Sequence, residues 1–519
     1  MKITSIKIQN FRRFTKIEIP IRETRTILVG DNECGKSTIL SALDLVLLGS
    51  RNKIESIGLH NLFNRNIIAN YLETDRKIDE LPVLMAEIYL SETDNELFYG
   101  ATNSTGDDHY GMRLIVEPDE LYQEEIKIIL ENGASNFPFE FYHVKFQYFS
   151  DRAYTIYTRI TSHLLLDNSQ ISNKLATSKY IRNIYNSNVE LGTRIKLLNQ
   201  YRDHKKNFAN ENLLGLNEDD NEYEFALRSA LDSNLESDLN LEEAGVPIQD
   251  RGKGKQCFIK TDFALQKASS SLECVLLEEP ENHLSHVTMR KLIKRIEDST
   301  ETQIIVATHS NMIANRLNLK NIILLNSEGQ SYVSLKDLDE STARFFMKAP
   351  DNNMLEFITA SRVILVEGDA EFILIKRLYE NITSSQIEDS DVHIISVGGT
   401  SFPRYLRIAS QVGIKVAVIT DNDKDFEKNI VKRYEEFVGF DNIRVFADDD
   451  NAISTFEIAI HGLNEGICHE IFSPGRRTLS PLNYMLGNKA ESAFQLLESK
   501  GDEIIAPEYI KDAIEWIRN

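Results

Sequence analysis

GDNECGKST, residues Gly30–Thr38, stands between a strand expected over Glu18–Val29 and a helix expected from Lys36 to Leu48. The spacing fits G-x-x-x-x-G-K-[ST], in which a strand hands over to a helix through a glycine-rich turn. Gly30 and Gly35 let backbone N–H groups wrap phosphate oxygens, with Asn32 and Thr38 in the same cradle. Lys36 reaches the β and γ oxygens of ATP, and Ser37 offers its hydroxyl to Mg²⁺. A purely structural glycine turn is the blander reading, and the strand–turn–helix setting argues against it.

Two further stretches belong with the loop. VLLEEPE (Val275–Glu281) reads as a buried strand ending in acids, and ATHS (Ala307–Ser310) closes the next apolar run. Glu278 is expected to hold Mg²⁺ through water and Glu279 to polarise the attacking water. His309 is expected to contact the γ-phosphate. Most P-loop proteins carry Asp where Glu278 stands. Alone, EEPE could be a helix start with Pro280 in its first turn. In this order the three motifs resemble an ABC-type ATPase head of DNA-repair clamps, and QNFRRF (Gln9–Phe14) is similar to that group's N-terminus. The resemblance implies heads paired face to face, each supplying a signature loop. DRGKGKQ (Asp250–Gln256) is the nearest candidate for that loop, without the usual Ser-Gly-Gly core.

A second group of residues follows. Glu367 ends the run RVILV, Gly368 allows close backbone approach, and Glu371 falls on the first turn of the next helix. Asp421 and Asp423 end KVAVIT. In a parallel sheet the C-terminal ends of strands open onto one crevice, so these four carboxylates can converge. Such a charge density needs cations, which points to one or two Mg²⁺ or Mn²⁺ ions. Two ions about 4 Å apart activate a water and stabilise a leaving 3′ oxygen. Separately, EGDAE could be a capped surface helix and DND a turn. Together with VGGTSF (Val397–Phe402) they resemble the Toprim domain of topoisomerases, primases and certain nucleases.

The rest of the chain bounds these readings. At 519 residues it is too long for one core, and two to four domains are expected. The fold class is α/β. The ATPase head is expected over 1–160 and 241–347, with a helical insertion at 161–240 as a possible dimerisation element. A C-terminal Toprim domain with a parallel sheet is expected over 354–519. Lys348–Asn353 (KAPDNN) is the linker. Val83–Leu90, Met112–Val116, Glu124–Leu130 and Glu140–Phe149 read as an antiparallel sheet. A formal charge of -22 excludes indiscriminate polyanion binding but not a local DNA groove. Lys174–Lys206 and Arg251–Lys267 are basic, and Glu211–Glu243 between them is acidic; a solvated face is the ordinary reading of such runs. Four scattered cysteines and the lack of a signal or membrane segment suit a cytoplasmic protein.

An ABC-type head followed by Toprim resembles the OLD (overcoming lysogenization defect) family of nucleases, which includes the Gabija A-type defence proteins. The resemblance adds two residues that the pattern alone leaves as ordinary surface. Glu457, in STFEIAI, matches a further metal-binding acid. Lys489, in GNKAESAF, matches a lysine that stabilises charge on the scissile phosphate. The implied activity is ATP-regulated, metal-dependent cleavage or nicking of DNA, with homo-oligomers formed through the heads and a helicase or reverse transcriptase as a defence partner. The alternatives are an ATP-dependent DNA clamp or repair scaffold and an effector that cleaves RNA. Topoisomerase- or primase-like chemistry would need a further domain, and no unassigned segment is large enough.

Overall fold

The computed structural model describes residues 1–131, 136–167, 181–182, 185–186, 189–213, 227, 234–271, 274–326, 330–349, 353–399, 401–473 and 479–519. They form two compact units, Met1–His309 with Leu325–Tyr332, and Ser310–Leu324 with Val333–Asn519. Among the described residues no helix is long and apolar enough to cross a membrane.

The first unit stacks two kinds of sheet. Strands β1 (Ile3–Phe11), β2 (Phe14–Pro20), β4 (Leu84–Leu90), β5 (His109–Pro118) and β6 (Tyr142–Tyr148) pair antiparallel, in the order β2-β1-β4-β5-β6. Their inward residues alternate, as Ile6, Ile8, Ala86, Ile88, Met112 and Leu114 do. Strand β3 (Arg25–Val29) belongs instead to a parallel sheet with β7 (His163–Asp167), β8 (Cys274–Glu278) and β9 (Gln303–Ala307). These four stand in the order β3-β9-β8-β7, and buried apolar residues make up most of each strand. The register sets Glu278 beside both Ala307 and Asp167, so the strand ends carrying the motifs share one edge.

Three expectations change here. Glu18–Val29 is two strands in two sheets, because Pro20 cannot continue a ladder. Glu124–Leu130 lies in helix Gln123–Glu131, where the buried Ile126 serves a helical face. The insertion expected to be helical over 161–240 first supplies an edge strand, His163–Asp167. Helix Leu191–Asn212 follows within it and buries none of its residues. Parts of the basic Lys174–Lys206 and acidic Glu211–Glu243 stretches, and Pro350–Asn352 of the expected linker, lie outside the described residues.

The second unit is a parallel sheet of β10 (Arg362–Val366), β11 (Val392–Ser396), β12 (Lys415–Ile419) and β13 (Ile443–Phe446), in the order β11-β10-β12-β13. The order reverses between β10 and β12, and a crevice opens beyond the strand ends at such a switch point. Helix Glu508–Arg518 packs on β12, and helix Lys489–Lys500 packs on helix Asp369–Thr383. Ile364, Leu374, Ile419, Ile460 and Ile514 belong to the core they share.

Candidate functional site

In the first unit the loop after β3 turns on Gly30 (φ 153°) and Gly35 (φ 108°). A Cβ on Gly35 would stand 2.4 Å from Cζ of the buried Phe14, so only glycine fits. Lys36 is buried and donates to the carbonyls of Gly30 at 2.8 Å and Asp31 at 2.9 Å. These contacts hold the ammonium at the loop's mouth, where phosphate oxygens can replace the carbonyls. Asn32 and Ser37 are exposed and Thr38 is buried.

Glu278 meets the Ser37 hydroxyl across the sheet edge. Burial raises its carboxyl, Ser37 opposes the rise, and Asp167 adds to it. Glu279 has a left-handed backbone (φ 46°), with its N–H held by Ala307 O at 2.9 Å. Its carboxyl is pushed up to about 8, by burial first and then by Glu281. His309 Nε2 lies 3.5 Å from Glu279 Oε1, and burial, then Lys36, lowers its pKa. Glu281 had no role in the sequence reading. Its Oε1 accepts the Thr308 hydroxyl at 2.5 Å and the His309 N–H at 2.9 Å, joining two of the three motifs. DRGKGKQ runs into helix Lys253–Ser271, where a Cβ on Gly254 would stand 2.1 Å from His283 O.

In the second unit Glu367 follows β10, and the Gly398–Gly399 turn is tied to it by Gly399 N–H to Glu367 O at 2.9 Å. Glu371 is buried on the first turn of helix Asp369–Thr383, and its Oε2 accepts the Gly368 N–H at 3.2 Å. Asp421 follows β12, and its Oδ1 accepts the Phe456 N–H at 2.8 Å, at the start of the helix that carries Glu457. Asp423 is exposed on a left-handed turn (φ 49°). Between the two aspartates, the Asn422 amide donates to Asp448 O at 2.8 Å and Asp450 O at 3.0 Å. Glu457 is 2% exposed, with Lys489 Nζ 3.0 Å from its Oε2.

The acids perturb one another. Asp421 is pushed up to about 8, by burial first, then by Glu371 and Glu367, against Lys489. Glu367 is raised by burial and Asp423, with Lys489 and Arg433 opposing. Glu371 is raised by burial, with Glu457 adding to it. Burial works against a charged Lys489, yet Glu457, Asp421 and Glu371 raise it. Among the described residues no three metal-type donors already stand close enough to hold an ion. The donor set nonetheless fits a hard divalent cation, because it is all carboxylate oxygen and Glu457 Oε1 is buried without a hydrogen-bond partner among those residues.

Sequence reasoning missed Tyr509 and Arg433. Tyr509 opens helix Glu508–Arg518, and its hydroxyl is raised by burial and then by Asp421 and Glu371. No local motif marks either residue.

Residues 1–314 match the family model of an AAA ATPase domain. Residues 358–423 match that of the overcoming lysogenization defect protein-like TOPRIM domain. The chain is 23% identical over 470 residues to the endonuclease GajA of Bacillus cereus strain VD045, spanning 84% of this chain and 77% of GajA. It is 23% identical over 184 residues to the Old nuclease of Escherichia phage P2, spanning 33% of this chain and 31% of that protein. The solved C-terminal region of the Xanthomonas campestris pv. campestris OLD protein is 23% identical, covers 31% of this chain and 94% of that one, and has a TM-score of 0.24.

Proposed function

The chain belongs to the AAA ATPase domain family and carries an OLD-like Toprim domain, and from that premise we propose that it is an ATP-regulated, divalent-metal-dependent endonuclease that cleaves or nicks DNA in anti-phage defence. The observation that carries the reading is the crevice at the β10/β12 switch point, where the raised carboxyls of Glu367, Glu371 and Asp421 gather with Glu457 beside Lys489. Mg²⁺ or Mn²⁺ held by these acids and Asp423 would neutralise their charge and lower the pKa of water there.

The protein's own groups supply the rest. The Phe456 N–H fixes one oxygen of Asp421. Lys489 is half exposed, so its ammonium can serve Glu457 and a phosphodiester oxygen together. In the head, Glu279 is the group that takes up a proton, and Glu278 with Ser37 is the pair for the nucleotide's Mg²⁺. Residues 354–519 are taken as the nuclease domain and 1–347 as the head with its insertion. The head resemblance supports a dimer as the minimum assembly. A helicase or reverse transcriptase as defence partner, and a cytoplasmic location, belong to the same proposal.

Supercoiled plasmid incubated with Mg²⁺ or Mn²⁺ tests the reading, with wild type, Asp421→Ala and Lys36→Ala side by side and an RNA substrate in parallel. Asp421→Ala is expected to abolish cleavage while still binding ATP, and Lys36→Ala to lose ATP binding. Equal cutting by purified Asp421→Ala would end the nuclease assignment.

A further inference from the structure

The segment after the Asp-x-Asp turn does something the sequence reading left unassigned. Glu427–Lys432 is a π-helical turn, a wide i→i+5 form that is frequent at functional sites. It is pinned to the crevice from two directions. Asn429 Nδ2 donates to Asn422 O at 3.0 Å, and the Phe426 N–H donates to Asn451 Oδ1 at 2.9 Å. Ile430 and Tyr434 are buried beneath it.

The segment exposes several cations, interleaved with the exposed Asp425 and Glu427. In a turn of between four and five residues, Lys428, Lys432 and Arg433 fall on one side. Lys424, exposed on the left-handed turn beside Asp423, extends that side toward the acids. All three lysines are exposed, and among the described residues none has a carboxylate within 4.0 Å. Several other cations of this unit are engaged: Arg407 pairs with Glu436, Arg377 with Glu380, Lys500 with Glu503 and Lys489 with Glu457. A solvated face is the ordinary explanation of surface lysines. It does not explain why three unpaired ones line a segment anchored to the carboxylate crevice.

Charge gives the reason. A chain of formal charge -22 with converging acids repels a polyanion at the place where the polyanion must enter. Local cations beside the crevice offset that repulsion and fix the register of a backbone without reading its bases. Residues about one turn apart on a helix are neighbours on one face, within reach of successive phosphates for side chains as long as lysine.

We propose that Lys424, Lys428 and Lys432, with Arg433 at the inner end, form a ridge that holds the phosphodiester backbone of DNA as it enters the carboxylate crevice. The proposal rests on the nuclease reading above and adds the surface by which that site takes its substrate.

The test measures binding of a labelled DNA duplex in EDTA across a salt series, with a single-stranded DNA arm and an RNA arm. Wild type is compared with the triple variant K424A/K428A/K432A. Three lost phosphate contacts flatten the salt dependence. Between 50 and 200 mM salt, the variant is expected to lose ~40-fold less affinity than wild type on duplex and ~20-fold less on single strands. Its melting temperature should match wild type, and the triple lysine-to-arginine variant should restore the wild-type slope. An unchanged affinity and slope in the triple variant, while wild type cuts plasmid in Mg²⁺, would overturn the ridge and leave the nuclease standing. If wild type neither binds nor cuts any nucleic acid, the underlying reading and the ridge both fail. Tighter binding of RNA than of either DNA would overturn DNA as the occupant.

Discussion

Asp421 offers the sharpest physical test, because its carboxyl is pushed from an ordinary 3.8 to about 8. An acid whose folded-state pKa is raised binds its proton more tightly when folded. The stability it contributes is therefore complete below about pH 4 and is lost as pH climbs toward 8. From pH 5.5 to 8.5 in EDTA, the folded state crosses some 2.5 units of that window, an upper bound of about 3 kcal/mol at 1.36 kcal/mol per unit. Glu367 and Glu371 titrate with Asp421, so the loss belongs to the cluster rather than to one oxygen. The second unit is of the size for which 1 kcal/mol moves the melting temperature by roughly 2–4 °C, so its transition should fall by ~6–12 °C. Scanning calorimetry in EDTA at several pH values reads this directly. Asp421→Asn cannot ionise and should flatten most of the slope. Millimolar Mg²⁺ should do the same for wild type by favouring the ionised cluster. A wild-type melting temperature that is level from pH 5.5 to 8.5 in EDTA, or an Asn variant that slopes as steeply as wild type, would refute the electrostatic account.

Two further outcomes follow from single contacts. Lys489→Met keeps the aliphatic stem but strands Glu457, which is 2% exposed. Breaking a fully buried pair costs roughly 3–5 kcal/mol, and the half-exposed ammonium reduces that to about 1–3 kcal/mol. The double variant with Glu457→Gln should regain most of the loss in thermal melts, and a double variant as unstable as Lys489→Met alone would contradict the pairing. Gly35→Ala forces a left-handed backbone at φ 108° and a Cβ 2.4 Å from the Phe14 ring. Nucleotide titration should show at least ~10-fold weaker ATP binding, with about 1–3 kcal/mol lost from overpacking; normal affinity would mean that the loop tolerates the shift.

What was legible in the sequence was what local backbone chemistry dictates. A strand, a glycine turn and a helix must follow one another to build the cradle at Gly30–Thr38, and helix Lys36–Leu48 forms where its spacing places it. The alternation of β10, β11 and β12 with helices likewise follows from short apolar runs between helical patterns. EEIKIIL at Glu124–Leu130 failed because a short apolar run satisfies either period, and only packing decides between them. HLLLD at His163–Asp167 failed for the same reason in the opposite direction. Glu281, Tyr509 and Arg433 had no signal, because their roles depend on partners brought near by the fold. Glu457 and Lys489 came through family resemblance alone, and their physical content is the 3.0 Å ion pair that no spacing rule contains.

The two sites reach one electrostatic solution on separate scaffolds. Each gathers acids at the C-terminal edge of a parallel sheet, and in each one carboxyl is pushed up to about 8, Glu279 in the head and Asp421 in the second unit. Each also holds a lysine within the electrostatic reach of those acids: Lys36 opposes the rise at Glu279, and Lys489 the rise at Asp421. Such acids bind a proton near neutral pH unless a stronger positive charge displaces it. In the proposed function a divalent cation is that charge, and arrival of the ion and ionisation of the cluster would be one event. A single lysine beside several carboxylates offsets only part of their repulsion. If the sites take divalent ions as proposed, cation binding is the step that prepares each of them.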